Sequence, residues 1–122
     1  MFKDFPLPNH PNAPKAAEAA HCAGEQNKYW QMHDLIFANQ QMMAVPNLKA
    51  HAASLSLDMP KFNECLDSGK YASNVSTDYQ YGSSLGVSST PTMYINGRPV
   101  VGAQPFEAFQ AIIDEELAAA RK

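Results

Sequence analysis

The spacing of apolar residues divides the chain into a long helical stretch and a shorter β-rich segment. Between residues 12 and 85, apolar side chains recur every three or four positions, which is the period of an amphipathic helix. One predicted helix runs from Glu25 to about Gln40, and its shared face carries Tyr29, Met32, His33, Ile36 and Phe37. The whole of residues 12–85 is therefore predicted to be helical.

Proline and capping residues predict where these helices begin. Pro14 suits the first turn of a helix that continues through the alanine-rich residues 15–23. Asn47 is predicted to cap a shorter helix, and Asp58 is predicted to cap the next one, which carries Pro60 in its first turn. The stretch is thus expected to contain several short helices.

The pattern changes period after residue 90. Residues 92–95 are rich in β-formers, and Asn96-Gly97 is a residue pair that favours a type I′ turn. Residues 98–101 are predicted to return as a strand, in which Pro99 marks an edge because proline cannot donate a ladder hydrogen bond. A last helix is predicted from Gln104-Pro105 onward, and its apolar stripe consists of Phe106, Phe109, Ile112, Ile113 and Leu117.

The first residues are predicted to form a short strand. Residues 2–5 alternate between apolar and polar side chains, and Pro6 ends the run. The predicted order is strand, long helical stretch, hairpin and helix. This order indicates the α+β class, with several helices interrupting a small sheet.

Composition and charge exclude several classes of protein. The 122 residues are 45% hydrophobic and 17% charged, which is typical of a globular domain. A net charge of −3 provides no basic surface for phosphates, so we expect no nucleic-acid partner. No apolar run is long enough to span a bilayer, and the first residues lack the apolar centre of a signal peptide. Without an export signal, the sequence as printed is expected to be cytoplasmic.

Two cysteines, Cys22 and Cys65, stand far apart in the sequence, and neither belongs to a Cys-x-x-Cys motif. Their positions leave open one structural disulfide, two buried thiols, or a redox-active pair. Both fall late in predicted helices, where the helix dipole does not stabilise a thiolate. Neither is therefore expected to act as a nucleophile.

The histidines show no metal-binding pattern. At ligand spacing, His10, His21, His33 and His51 have no cysteine or carboxylate partner except Asp34. Asp34 is expected to leave its helix on a different face from its neighbour His33. We therefore expect no metal site, and no motif indicates another cofactor.

Three stretches of the chain match motifs of one known family. They are residues 3–7 with 10–13, residues 19–30 with His21-Cys22 and Tyr29-Trp30, and residues 86–92 with Asn96-Gly97 and 102–105. In this order they resemble the DsbA-like thiol–disulfide oxidoreductases, which are thioredoxin-like proteins. The resemblance covers essentially the whole chain.

The resemblance implies a thioredoxin-like fold with a helical insertion over residues 12–85 and a ββα part over residues 86–122. Residues 1–122 are then expected to form a single partial domain. In the family, a Cys-x-x-Cys begins the helix that follows a central strand. Both would precede Phe2, so we expect them to be missing here, and the chain by itself is expected to be catalytically inactive.

The resemblance also implies roles for four residues. In the family, the X-Pro peptide before the hairpin is cis and its backbone pairs with the substrate, so Thr90 and Pro91 are expected to bind substrate. Relatives also carry a second disulfide in the helical part, which favours a structural bridge between Cys22 and Cys65. Such a bridge closes a loop of about 44 residues and would stabilise the fold by about 4 kcal/mol in the chain-entropy treatment.

The missing central strand would leave the sheet incomplete at its centre. Strands at residues 2–5 and 92–95 would then each expose unpaired backbone N–H and C=O groups. We expect the chain to rearrange its N-terminal strand, or to form a homodimer through an open edge.

Two functions of different classes follow. The resemblance implies a protein disulfide oxidoreductase that acts on cysteine-containing polypeptides in the periplasm or outside the cell. The missing Cys-x-x-Cys favours instead a non-catalytic peptide-binding or assembly module on a thioredoxin-like scaffold. Because fold alone does not determine function, the residues of the site must decide between them.

Overall fold

The structure is a computed structural model that describes residues 1–121. The chain separates into two compact units, of which the first covers Met1–Tyr81 and the second begins at Gly82. We call them the helical unit and the hairpin unit. Together they contain helices and a small two-stranded antiparallel sheet, which gives the mixed α+β composition predicted from the sequence.

The helical unit is built from short helices that surround one apolar core. The helices are α1 (Ala13–Gly24), α2 (Tyr29–Ala38), α3 (Val45–Ser54), α4 (Met59–Asp67) and α5 (Ala72–Ser84), the last of which continues beyond Tyr81. Helices α1 to α4 supply most of the core. Its largest fully buried side chains are Phe62, Met32, Leu48, Leu66 and Cys22.

The start of α4 confirms the prediction made from its capping residues. Asp58 precedes the helix, and its side chain accepts a hydrogen bond from the backbone N–H of Lys61 at 3.2 Å. Pro60 lies in the first turn, where a missing N–H leaves no hydrogen bond unmade. Pro14 occupies the equivalent position in α1.

Two other helices begin at different residues from those predicted. Helix α3 begins at Val45 and has Pro46 in its first turn, so Asn47 lies inside the helix and does not cap it. Helix α2 begins at Tyr29, later than predicted, because Asn27 adopts a φ of 62° that interrupts the helical backbone.

Residues 2–5 do not form a strand, so this prediction was wrong. The backbone N–H of Asp4 donates to Oδ2 of Asp78 at 3.2 Å, and the Asp4 carboxylate lies 2.6 Å from Nε2 of His21. Asp4 is buried at 7% exposure, whereas Phe2 is 46% exposed, which reverses the burial expected of an apolar and polar alternation. Contacts with α1 and α5 therefore provide the hydrogen-bond partners of Asp4, and no β-ladder is formed.

The hairpin unit contains β1 (Thr92–Ile95), β2 (Arg98–Val101) and α6 (Phe106–Ala120). The strands pair antiparallel, in a register that sets Thr92 opposite Val101 and Ile95 opposite Arg98. Asn96 and Gly97 have φ values of 49° and 83°. Two successive positive φ values define the type I′ turn, so the predicted hairpin is confirmed.

Apolar side chains of the hairpin unit are largely exposed. Among its described residues, Val100 is the single buried apolar side chain, and α6 has none. Phe106 is 71% exposed, and Ile113 and Leu117 are 42% and 50% exposed. The apolar stripe predicted for α6 is thus present in the sequence but does not cover a core within this unit.

Candidate functional site

Cys22 and Cys65 form a disulfide between α1 and α4, with their Cα atoms 5.9 Å apart. This observation resolves the alternatives that their spacing left open, and it excludes free thiols at either position. The cysteines are 1% and 4% exposed and belong to the core of the helical unit. The bond therefore joins two helices from within the packed interior.

The surroundings of the disulfide do not favour nucleophilic chemistry. Cys22 lies two positions before the end of α1 at Gly24, where the partial negative charge of the helix terminus disfavours a thiolate. Burial in an apolar core disfavours the charged form as well. A reactive thiolate normally needs the opposite setting, which is a helix N-terminus or a neighbouring cation.

An open polar cleft of about 440 Å³ borders the disulfide on the side of Cys65. At its rim, the ammonium of Lys70 donates a hydrogen bond to Glu25. This hydrogen bond lowers the pKa of Glu25 below its ordinary value. It also raises the pKa of Lys70 above its ordinary value. The two side chains thus form one ion pair at the mouth of the cleft.

The predicted substrate-binding residues, Thr90 and Pro91, lie in the hairpin unit directly before β1. Both are exposed, and the peptide bond that joins them is cis. The loop is held by a hydrogen bond from the Thr92 hydroxyl to the backbone oxygen of Ser89 at 2.7 Å. Substrate binding by Thr90 and Pro91 stays a prediction.

The hydrogen-bond pattern of the hairpin leaves one edge of β1 open. A two-residue turn closes on a hydrogen-bonded pair, and the same alternation continues to Gly102, whose N–H donates to the oxygen of Pro91 at 2.8 Å. In this alternation, the backbone groups of Thr92 and Tyr94 face away from β2. Within the described residues, β1 pairs with β2 alone, so these groups line an open edge.

The outer edge of β2 differs from that of β1. Pro99 pairs with Tyr94 in the ladder and has no N–H to present on the outer side. An incoming strand would therefore find one donor fewer along β2 than along β1. The hairpin accordingly has one edge suited to pairing, and that edge begins at the Thr90-Pro91 loop.

Two histidines contact carboxylates in ways that the sequence did not predict. His33 and Asp34 were predicted to point to different faces, but Nδ1 of His33 lies 3.0 Å from Oδ1 of Asp34. This prediction was wrong, because neighbouring side chains on the surface can bend towards each other. Sequence reasoning also missed the pair of His21 and Asp4, since no local signal links residues so far apart.

Residues 1–121 contain neither a metal-binding cluster nor a membrane-spanning helix. No cluster of three or more histidine, cysteine or carboxylate side chains within that range has the geometry to hold a metal ion. No helix in the same range is both long enough and apolar enough to cross a bilayer.

The chain matches one protein family and is similar to several proteins named as antiporters. Residues 1–115 match the family described as Thioredoxin. The chain is 37% identical over 122 residues to Na(+)/H(+) antiporter NhaA 3 of Salinispora tropica, a match that covers 99% of this chain and 19% of that protein. It is 36% identical to Na(+)/H(+) antiporter NhaA 1 of Salinispora arenicola, with the same coverage of each chain.

A third relative is Na(+)/H(+) antiporter NhaA of Herminiimonas arsenicoxydans, which is 32% identical over 88% of this chain and 17% of its own. The chain thus spans about a fifth of the length of these curated relatives. No solved structure matches the chain. Because the family match extends over residues 1–115 of 122, the chain belongs to the thioredoxin family.

Proposed function

We propose that this chain is the substrate-contacting and helical part of a DsbA-like thiol–disulfide oxidoreductase, and that these residues alone do not exchange disulfides. The observation that carries the proposal is the open edge of β1, which continues directly from Thr90 and Pro91. In this proposal residues 1–122 form one partial domain, with the helical insertion over 12–85 and the ββα part over 86–122.

The open edge suits an extended polypeptide. A substrate chain that adds as a strand would pair with the outward N–H and C=O groups of Thr92 and Tyr94. Main-chain hydrogen bonds of this kind are independent of the substrate's sequence, as an enzyme acting on many cysteine-containing polypeptides requires. Thr90 and Pro91 would position the incoming chain at the start of the strand.

The buried disulfide supports the proposal that these residues alone do not exchange disulfides. Exchange requires a thiolate that attacks a sulfur, with a second thiolate as the leaving group. The two cysteines of the chain are joined and buried, and the sequence contains no Cys-x-x-Cys. The Cys22–Cys65 bond is therefore structural in this proposal, and it is consistent with an oxidising compartment such as the periplasm.

Amide hydrogen exchange tests the substrate edge directly. The reduced insulin B chain serves as an unfolded, cysteine-containing polypeptide. We expect its addition to slow exchange at Thr92 and Tyr94, while Met93, whose N–H already points into the ladder, changes little. Val101, on the outer side of β2, is the internal control. Equal exchange at Thr92 and Tyr94 with and without the B chain would overturn substrate binding at this edge.

Insulin reduction by dithiothreitol tests the absence of catalysis. We expect no acceleration of insulin precipitation by the purified chain and no reactive thiol in the native protein. Acceleration that disappears in the Cys65→Ser variant would show that the pair is an active site, and the structural assignment would be wrong.

A non-catalytic assembly module is the alternative within the same fold. In that function the edge of β1 would pair with a second copy and form a homodimer. The exchange experiment separates the two functions. Protection of Thr92 and Tyr94 without any peptide, increasing with protein concentration, would favour the homodimer over substrate binding.

The lengths of the relatives favour one further proposal, that the chain works as one domain of a longer protein. It corresponds to 19% of the antiporter-named relatives, so a thioredoxin domain in them accompanies a much larger polypeptide. An antibody raised against the chain tests this in the source cells. A band several times heavier than 13.4 kDa is expected, and a band at 13.4 kDa would contradict this proposal.

A further inference from the structure

A small open pocket of about 240 Å³ lies in the helical unit, and neither cysteine of the disulfide lines it. Its walls are apolar and include Pro6, Pro14, Val75 and Tyr79. The ring of Tyr79 is held in place by stacking on Phe5, with the ring centroids 4.5 Å apart. The volume is below the range of drug-sized sites, and it suits a single ring or one side chain.

One charged side chain lines this apolar pocket. Glu18 is only 4% exposed, and its Oε1 accepts a hydrogen bond from Nζ of Lys15 at 3.1 Å. Nζ also donates to the backbone oxygen of Leu66 at 2.8 Å, which fixes the ammonium in place. Oε2 of Glu18 has no hydrogen-bond partner in the part of the chain that the structure describes.

The charge of Glu18 determines what kind of group the pocket favours. Lys15 already compensates the carboxylate, so a second cation would be repelled by the nearby ammonium. A neutral group with one N–H or O–H would satisfy Oε2 without that repulsion. The apolar walls in turn favour a flat ring, and phenol and indole rings combine such a ring with one donor.

We propose that this pocket binds a phenol or indole ring, as in a tyrosine or tryptophan side chain of a polypeptide, with the ring donor bonded to Oε2 of Glu18. Binding at this pocket needs no thiol chemistry. It can therefore be present whether or not the chain takes part in disulfide exchange.

Ring preference in the unaltered protein is the first test. Titrations with p-cresol and with toluene are followed by NMR at the methyl groups of Ala72 and Val75, which line the pocket. One neutral hydrogen bond predicts that p-cresol binds about threefold to tenfold more tightly than toluene. Equal affinities, or shifts confined to other methyl groups, would overturn the proposal.

The Glu18→Gln variant tests the role of the free oxygen. If the amide oxygen keeps the bond to Lys15, the amide NH₂ group takes the place of Oε2 and becomes a donor. The preference for p-cresol over 4-methylanisole should then be lost, because the oxygens of both ligands can accept from the NH₂ group, whereas only p-cresol can donate to the carboxylate of Glu18. An unchanged preference for p-cresol in the folded variant contradicts the assigned contact. Glu25→Gln makes the same change away from the pocket and should leave the preference unaltered.

Filling the pocket provides a test that does not disturb the buried carboxylate. Ala72→Leu enlarges an exposed side chain at the pocket wall and should abolish p-cresol binding. Ala53→Leu makes the same change at an exposed position of α3 and should have no effect. N-acetyl-tyrosine amide carries the phenol ring on a peptide backbone, so it tests binding of a polypeptide side chain. It should bind more tightly than N-acetyl-phenylalanine amide, which lacks the hydroxyl donor. Binding of p-cresol that survives Ala72→Leu would place the ligand elsewhere.

Discussion

Nε2 of His21 lies 2.6 Å from Oδ2 of Asp4, and this pair attaches the N-terminal segment to α1. The Asp4 side chain is 7% exposed, so the bond is shielded from water. His21 is further held by the ring of Tyr71, which stacks on it with centroids 5.3 Å apart. The N-terminal segment is therefore held by polar side-chain contacts and not by pairing with a neighbouring strand.

Replacing Asp4 by Asn should destabilise the helical unit. The amide keeps the shape but loses the charge that strengthens the bond to His21, at an expected cost of about 1–3 kcal/mol in the free energy of unfolding. Urea denaturation measures the change. Asp34→Asn is the matched control, because Asp34 also contacts a histidine but is 79% exposed, and it should cost less than about 0.5 kcal/mol. Equal losses of stability in the two variants would show that burial does not strengthen the bond between Asp4 and His21.

Removing the disulfide should lower stability without preventing the core from packing. The double variant Cys22→Ala/Cys65→Ala is expected to lose up to about 4 kcal/mol, because the unfolded chain is no longer constrained by the bridge. The unaltered chain denatured in the presence of a reductant should lose a similar amount. A urea midpoint that the double variant leaves unchanged would exclude a stabilising role for the bond.

Truncation of an apolar side chain should be costly in the helical unit and almost neutral on α6. Phe62→Ala removes a fully buried ring and is expected to cost about 3–5 kcal/mol through lost burial and the cavity left behind. Phe106 is 71% exposed, so Phe106→Ala should change stability by less than about 0.5 kcal/mol. A large loss for Phe106→Ala in urea denaturation would show that α6 is covered in solution.

Tyr29 should make the fold sensitive to alkaline pH. Burial, together with the charges of Asp4 and Asp78, raises the pKa of Tyr29 to about 12. Because the folded-state pKa is above that of the unfolded chain, this contribution is present below about pH 10 and is lost as the pH rises towards 12. Partial exposure of the ring and solvent screening limit the loss to about 1 kcal/mol.

The Tyr29→Phe variant tests this pH dependence by urea denaturation at several pH values between 9 and 12. Phenylalanine has no proton to lose, so the variant should retain more of its stability over that range than the unaltered chain. Tyr94→Phe, in the hairpin unit, keeps Tyr29 and should show the full alkaline loss. Parallel pH profiles for Tyr29→Phe and the unaltered chain would contradict the assignment.

Local signals in the sequence predicted some elements correctly. Asn96-Gly97 specifies its turn through the φ values that these two residues tolerate, and Asp58 caps α4 through a contact three residues away. In both cases the information lies within four residues of the chain, which is why the sequence was sufficient.

Contacts between distant residues explain what the sequence did not predict. The alternation at residues 2–5 was interpreted as a strand, but Asp4 is bound to His21 and Asp78, which are 17 and 74 positions away. The spacing of Cys22 and Cys65 left open whether they are bridged, and it was the family resemblance that favoured the bridge seen in the structure. Glu18 gave no signal at all, because the pocket that it lines has walls contributed by the N-terminal segment and α5.

The hairpin's asymmetry limits how far any assembly through it can grow. A fibre requires each copy to offer two pairing sides, so that every addition creates the next point of attachment. Pro99 removes a donor from one side, and the side at Thr92 and Tyr94 is consumed once a strand has paired there. Association through this sheet should therefore stop at a closed complex of two chains, and the protein should resist open-ended aggregation.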